Sequence, residues 1–127
     1  MRPLRWGTLW LAAGLLATLV GAYLALRPPV QLLPASFGDK LQHALSYVAM
    51  GVWFGALYQR RHLPRVALAL FGFGLVIEGL QAVLPFGRAA EWPDVAANTA
   101  GIVIAILLTR WIEPSWMQRL ERWVVRA

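Results

Sequence analysis

A short run from Asp39 to Tyr47 combines an acid, a base, a histidine and a phenol at the start of a long apolar stretch. Read as a helix, Asp39, His43 and Tyr47 recur every four residues and project from one face. Side chains of these types can transfer protons or hold a polar ligand. In lipid, an unpaired charged group at a helix centre costs about 2.5–3.5 kcal/mol on insertion scales, so this face requires polar partners.

Further polar residues stand near the ends of two later apolar stretches. Glu78 and Gln81 lie within the third stretch, and an ionisable residue inside such a stretch is by default a candidate functional group. The connector that follows is charged, and Asn98 lies one turn into the fourth stretch. The connector and the start of the fourth stretch contribute Arg88, Glu91 and Asp94.

The composition indicates a membrane protein. Of 127 residues, 59% are hydrophobic and 14% are charged, and the mean hydropathy is +0.57. A soluble domain carries about 25% charged residues. The absence of cysteine excludes disulfides, thiolate nucleophiles and cysteine metal sites. The net charge of +6 is spread over short loops and tails rather than one basic face, so we expect no nucleic-acid partner.

Four apolar stretches have about the 20-residue length that crosses a bilayer. They predict an all-α fold, an integral membrane four-helix transmembrane bundle with short connectors, forming a single domain over residues 1–127. The predicted helices cover about 6–26, 41–58, 66–84 and 95–111. Prolines in the connectors are interpreted as helix breakers, and Ser36 or Asp39 is expected to cap the second helix.

The distribution of Arg and Lys predicts the orientation. Nine of the twelve lie with the two termini and the second connector, and three lie on the other side: Arg27, Lys40 and Arg88. The positive-inside rule then makes both termini cytoplasmic, in a bacterial inner membrane. With this topology ten polar residues fall in one outward-facing layer, here called the polar layer. They are Asp39, Lys40, His43, Tyr47, Glu78, Gln81, Arg88, Glu91, Asp94 and Asn98.

Small residues recur at helical spacings that suit close contact between helices. The first stretch has Gly7, Gly14 and Gly21, the second has Gly51-x-x-x-Gly55, and the fourth has Gly101 between two alanines. These patterns predict close helix packing, but they do not establish a dimer.

The C-terminal segment after Pro114 is amphipathic. Trp116, Leu120 and Trp123 share one helical face, with most of the arginines opposite. Two interpretations fit equally: a short helix on an anionic leaflet, or a loosely ordered basic tail.

The polar layer also carries a motif pattern. It is Asp39-Lys40-x-x-His43-x-x-x-Tyr47, then Glu78-x-x-Gln81, then Arg88-x-x-Glu91-x-x-Asp94-x-x-x-Asn98-x-x-Gly101. In order and spacing this pattern resembles the VanZ-like family, over about residues 34–108. These are small bacterial integral membrane proteins, named for a member associated with teicoplanin resistance. The resemblance implies a four-helix protein of the cytoplasmic membrane and the cell envelope, without a settled biochemical activity.

Two functions of the polar layer follow as hypotheses. In the first, it binds an anionic or amphiphilic envelope ligand: a lipid headgroup, a cell-wall precursor or a glycopeptide antibiotic. Lys40 and Arg88 would meet the anionic part. In the alternative, the chain is an intramembrane hydrolase or transferase of a lipid-linked substrate, with His43 as acid or base, tuned by Asp39 or Glu78. No serine or cysteine lies in a nucleophile motif, so the sequence favours binding.

Two further hypotheses are a purely structural hydrogen-bonded network and, ranked last, ion or proton transport. A metal-assisted form of the enzyme would use His43, Glu78 and Asp94 as ligands. Their scattered spacing gives no basis for assigning a metal, so we expect neither a metal nor a cofactor. Membrane lipids are the expected partners.

Overall fold

The computed structural model describes residues 1–27, 35–85, 89–112 and 115–126, with 35–37 described by their backbone alone. Within these ranges all regular structure is helical, which confirms the all-α prediction. The helices are α1 Gly7–Leu26, α2 Ala35–Leu57, α3 Leu63–Val83, α4 Trp92–Trp111 and α5 Trp116–Arg126, and a 3₁₀ turn at Arg60–His62 precedes α3.

Three described helical segments are long and apolar enough to cross a membrane, where the sequence predicted four. They are Gly7–Leu26, Arg60–Val83 and Trp92–Trp111. The second helix, α2, is not among them, because its first half carries Asp39, Lys40 and His43. The candidate site residues of α2 therefore also lower its hydropathy.

The first helix exposes most of its apolar surface. Gly14 is its one buried residue, and Leu9, Leu16 and Leu19 are 65, 64 and 66% exposed. In water, exposed apolar area is unfavourable by about 25 cal/mol per Å², whereas acyl chains cover it in a bilayer. An apolar surrounding is therefore the medium that suits α1.

Two helices begin three residues before their predicted starts. The third helix begins at Leu63 rather than 66, and the fourth at Trp92 rather than 95. Pro64 and Pro93 stand in their first turns. A proline is favoured there because the first N–H groups of a helix have no intrahelical acceptor in any case. These prolines start helices rather than separate them.

The second helix begins at Ala35, six residues before its predicted start at 41. Ser36 and Asp39 lie inside α2, so the prediction that either caps it is wrong. Polar side chains alone do not end a helix, and the last proline of the connector precedes Ala35 in the sequence. In consequence Asp39, His43 and Tyr47 occupy successive turns of one continuous helix.

Close packing of α2 against α4 fixes the centre of the fold. A Cβ added to Gly51 would overlap the Cβ of Ala105, and one added to Gly101 would overlap the backbone oxygen of Ala44. The helices can approach this closely only because these positions lack side chains. The predicted small-residue contact is thus confirmed within a single chain, and it brings the first turns of α4 beside the polar half of α2.

The N-terminus, the turn after α2 and α5 meet at the opposite end, here called the basic end. The Arg2 N–H donates to the Leu57 oxygen at 2.8 Å, and Met117 of α5 is fully buried against Leu57 and Ala56. Three indole rings pack here with centroids 5.5–6.0 Å apart: Trp10, Trp53 and Trp116. The alternative of a loosely ordered tail is therefore wrong, because α5 is a helix docked on the bundle.

Candidate functional site

A hydrogen bond between His43 and Asn98 joins the polar faces of α2 and α4. His43 Nδ1 lies 3.0 Å from Asn98 Oδ1, and because an amide oxygen only accepts, Nδ1 carries the proton and donates. The other ring nitrogen, Nε2, faces Asp94 Oδ2 at 3.9 Å, beyond hydrogen-bond distance. Asn98 and Asp94 are only 3 and 4% exposed. The imidazole is therefore oriented by α4 and aimed at a buried carboxylate.

Lys40, just before the apolar part of α2, ties that helix to the start of α4. Its Nζ donates to Glu91 Oε2 at 2.7 Å and to Asp94 Oδ1. The ammonium is thus already paired with two carboxylates of the protein.

Glu78 and Gln81 face inward from the last turns of α3 and are 5 and 3% exposed. Glu78 Oε2 accepts the Glu91 N–H at 3.3 Å, and the Gln81 amide donates to the Ala25 oxygen at 2.8 Å, which links α3 to the last turn of α1. Among the described residues, Glu78 Oε1 and Gln81 Oε1 are buried without a hydrogen-bond partner. Unpaired buried acceptors are uncommon in folded proteins, and both remain available to a donor.

Tyr47 is a core residue rather than a residue of an aromatic belt at the interface. It is 5% exposed and belongs to the cluster formed with Ile102 of α4 and Leu70 of α3. A Cβ on Gly74 would lie 3.0 Å from the Tyr47 hydroxyl oxygen, so a glycine at this position makes room for the phenol. The phenol therefore lies between α2, α3 and α4, in the interior of the bundle.

An open groove of about 1230 Å³ runs between α1, α2 and α3. Its polar end is formed in part by Asp39, His43 and Arg27. The apolar walls include Gly14, Gly21, Met50, Phe54, Phe73 and Ile77. A long apolar trough with one polar end is the shape that fits an amphiphile.

The path of α1 explains why this groove is open. A Cβ on Gly14 would lie 2.5 Å from Trp53 Nε1, so α1 touches α2 closely there. A Cβ on Gly21 would meet nothing within 4 Å. The predicted close approach along the glycine series is therefore confirmed at Gly14 and wrong at Gly21, where α1 stands away from its neighbours.

The groove divides the predicted site residues into two groups. Asp39, His43 and Tyr47 line it. The others do not contribute to its described lining and lie behind it, four of them buried and Lys40 and Glu91 at least partly exposed: Lys40, Glu78, Gln81, Glu91, Asp94 and Asn98. Arg88, predicted to meet an anionic ligand, lies outside the described residues.

Three potential cation ligands come together where the two groups meet. Asp39, His43 and Asp94 each offer one ligand atom, and these atoms lie within 4.8 Å of one another. The metal-assisted hypothesis used Glu78 in place of Asp39. The structure groups Asp39 instead, because it precedes His43 by one helical turn and Asp94 approaches from α4.

One polar residue with several buried contacts was missed by sequence reasoning. Glu121 of α5 accepts hydrogen bonds from the Arg5 N–H at 2.9 Å, the Trp6 N–H at 3.0 Å and the Trp10 indole at 2.9 Å. The signal in the sequence was a single acid among the arginines of the amphipathic segment, four residues after Met117. That spacing places Glu121 on the buried face of α5.

Together, the fold and the network define a small all-helical protein with membrane-capable helices and a buried polar cluster at one end. The family model for VanZ/LLP1 matches residues 8–113, and the chain belongs to this family. The match confirms the resemblance seen in the motif pattern and extends it to α1. No curated protein and no solved structure matches the chain.

Proposed function

We propose that this chain binds an amphiphilic envelope ligand, with the apolar part of the ligand in the groove and its polar head beside Asp39 and His43. The observation that carries the proposal is the groove itself. Pockets for drug-sized ligands enclose about 300–1,000 Å³, whereas this groove offers about 1230 Å³ and is apolar over most of its length. A molecule with a long apolar hydrocarbon chain fills such a volume better than a compact polar molecule does.

The positive charge of Arg27 at the polar end suits a head that contains phosphate. Arg27 lines this end, where its guanidinium stacks 4.7 Å from the Tyr23 ring centroid. A planar guanidinium binds phosphate oxygens through several donors. Lys40 is less available for this role than the sequence suggested, because Asp94 and Glu91 already bind it. The polar residues behind the groove then serve to hold His43 in place, through its hydrogen bond with Asn98.

The alternative of a hydrolase receives less support from the groove. Two aliphatic hydroxyl groups belong to its described lining, those of Thr18 and Ser46. Each donates to its own helix, Thr18 to the Gly14 oxygen at 2.8 Å and Ser46 to the Gln42 oxygen at 2.7 Å. A nucleophilic hydroxyl instead donates to a neighbouring base. Binding is therefore the function we propose.

Filling the groove tests the proposal directly. Gly21→Leu inserts a side chain into space that holds no neighbouring atom within 4 Å, so the helix should fold normally. In nanodiscs with phosphatidylglycerol that carries a diazirine in its acyl chain, we expect crosslinks to the wild-type groove around Met50 and Phe54. Gly21→Leu should reduce them about tenfold, which corresponds to about 1.4 kcal/mol of binding free energy. Peptide mass spectrometry gives the labelled positions.

A matched control separates occupation of the groove from general contact with lipid. Gly79 is exposed on α3, outside the described lining, and a Cβ there also meets nothing within 4 Å. Gly79→Leu should leave groove labelling unchanged, and labelling at Leu68, which is 71% exposed, should be equal in all three proteins. Competition by a polyprenyl phosphate would indicate a lipid-linked precursor rather than a phospholipid. Equal groove labelling in Gly21→Leu and wild type would contradict the proposal.

We further infer that α2 also crosses the membrane, with its polar face covered by α4, and that the groove opens outward in a bacterial inner membrane. The charge distribution supports this orientation, and so does the meeting of the N-terminus, the turn after α2 and α5 at the basic end.

Because the chain has no cysteine, single-cysteine variants test this orientation cleanly. In intact spheroplasts an impermeant maleimide should label Ala89→Cys, and should label His62→Cys only after permeabilisation. The reverse pattern would overturn the orientation.

A further inference from the structure

The orientation of His43 gives its Nε2 an environment that calls for a cation. Its Nδ1–H donates to Asn98, so in the neutral imidazole Nε2 carries a lone pair. Nε2 faces Asp94 Oδ2 at 3.9 Å, without a hydrogen bond between them. The His43 side chain is 9% exposed and the Asp94 side chain 5%, and Nε2 has no hydrogen bond with any described residue. Two buried electron-rich atoms repel unless a positive centre lies between them.

The surrounding geometry matches that of a metal-binding histidine. A histidine that binds a metal almost always donates its other ring N–H to an oxygen acceptor, which fixes the tautomer and the ring direction. Asn98 fills that role for His43. Two ligand atoms each about 2.1 Å from a shared ion lie about 3–4 Å apart, close to the 3.9 Å between Nε2 and Asp94 Oδ2.

Asp39 completes a set of three ligands. It lies one turn before His43 on α2, and its carboxylate is within 4.8 Å of the ligand atoms of His43 and Asp94. Lys40 binds the other oxygen of Asp94, Oδ1, so it leaves Oδ2 free to face the imidazole. Asp39 and His43 line the groove, which gives an ion a path from the surroundings and open coordination positions.

We propose that Asp39, His43 and Asp94 form a binding site for one divalent transition-metal ion at the polar end of the groove. One imidazole nitrogen and two carboxylate oxygens suit the hard ion Mn²⁺ and the borderline ion Zn²⁺ better than soft Cu(I). This departs from the sequence-based expectation of no metal. The site requires no bound amphiphile, so it stands or falls separately from the function proposed above.

Mn²⁺ binding to the detergent-purified chain, with any affinity tag removed, tests the site. Electron paramagnetic resonance of free Mn²⁺ gives the stoichiometry, and we expect one ion per chain. Loss of an outer-shell partner alone weakens metal binding about 10–100-fold, so His43→Gln and Asp94→Asn should each weaken it about 100-fold. The matched control is His62→Gln, at the basic end, which should bind as wild type does.

Two further measurements do not depend on how well the ligand variants fold. Pulsed electron paramagnetic resonance spectra of the wild-type Mn²⁺ complex should show coupling to an imidazole nitrogen. Absence of that coupling would overturn the assignment. Lys40→Gln removes a positive charge beside the site and should strengthen Mn²⁺ binding about tenfold. No binding, equal binding in His43→Gln and His62→Gln, or weaker binding in Lys40→Gln would each contradict the proposal.

Discussion

Replacing Gly101 by alanine is expected to lower the free energy of unfolding by about 1–3 kcal/mol, the usual cost of overpacking a tight contact. A Cβ at this position would overlap the backbone oxygen of Ala44 and would lie 3.0 Å from the Tyr47 Cβ. A backbone oxygen within a helix cannot rotate away as a side chain can. The added methyl group can be accommodated only if α2 and α4 move apart, and unfolding in mixed detergent–dodecyl sulfate micelles, followed by circular dichroism, measures the cost.

The same substitution at an open position provides the control. At Gly72 and Gly79 of α3 a Cβ would meet nothing within 4 Å. Alanine should be neutral or stabilising there, since it favours a helix over glycine by about 1 kcal/mol. If Gly101→Ala were as stable as Gly72→Ala, the close contact between α2 and α4 would not exist. Separation of these helices should also break the hydrogen bond between His43 and Asn98, so Gly101→Ala is expected to disturb the site as well.

The depth at which the polar residues lie in the bundle could be predicted from the sequence. Hydropathy locates each helix to within one or two turns, and a rise of about 1.5 Å per residue then gives the approximate level of its side chains. On this basis His43 and Asn98 were expected at one level, as were Glu78 and Glu91, and both pairs are in contact. The level of a residue depends on its own helix, so local pattern is sufficient.

The partners within that level could not be predicted, because they depend on how each helix is rotated and how closely it approaches its neighbours. Lys40 was expected to meet a ligand, yet it binds Asp94 and Glu91, which lie more than fifty residues away in the sequence. Asp39 was expected to cap a helix and instead lies beside His43 and Asp94. Such pairings are tertiary, and periodicity carries no information on them.

The groove was missed for a related reason. Apolar residues on a membrane helix look the same whether they face lipid, another helix or a cleft. Gly14 and Gly21 fit one periodic pattern, but α1 contacts Trp53 closely at Gly14 and stands away from its neighbours at Gly21. An open space between helices leaves no mark on composition or spacing, so it becomes visible only when the helices are placed together.

Glu121 anchors the C-terminal helix to the start of the first helix. The carboxylate is 6% exposed and accepts three hydrogen bonds, two from the backbone N–H groups of Arg5 and Trp6 and one from the Trp10 indole. The N–H groups at the start of a helix have no intrahelical partner, and a negative charge there is favourable. Burial alone would raise the pKa of Glu121, but the hydrogen bonds from Trp6 and Arg5 outweigh it and lower that pKa below its usual value.

Glu121→Gln is therefore expected to loosen α5 by about 1.5–3 kcal/mol, the range for a hydrogen bond to a charged group. Because the pKa of Glu121 is lower in the folded state, its contribution is complete above the unfolded-state pKa of about 4.3 and is lost as the pH falls through the lower folded value. Hydrogen exchange of the α5 amides, corrected for its intrinsic pH dependence, should show this acid loosening in wild type and not in Glu121→Gln. Gln118 is on the same helix as Glu121, and its side chain makes only a 3.3 Å hydrogen bond to the Pro3 oxygen. Gln118→Ala should therefore leave the wild-type pH dependence intact. If Glu121→Gln exchanged as slowly as Gln118→Ala at neutral pH, α5 would be held by Met117 and the tryptophans alone.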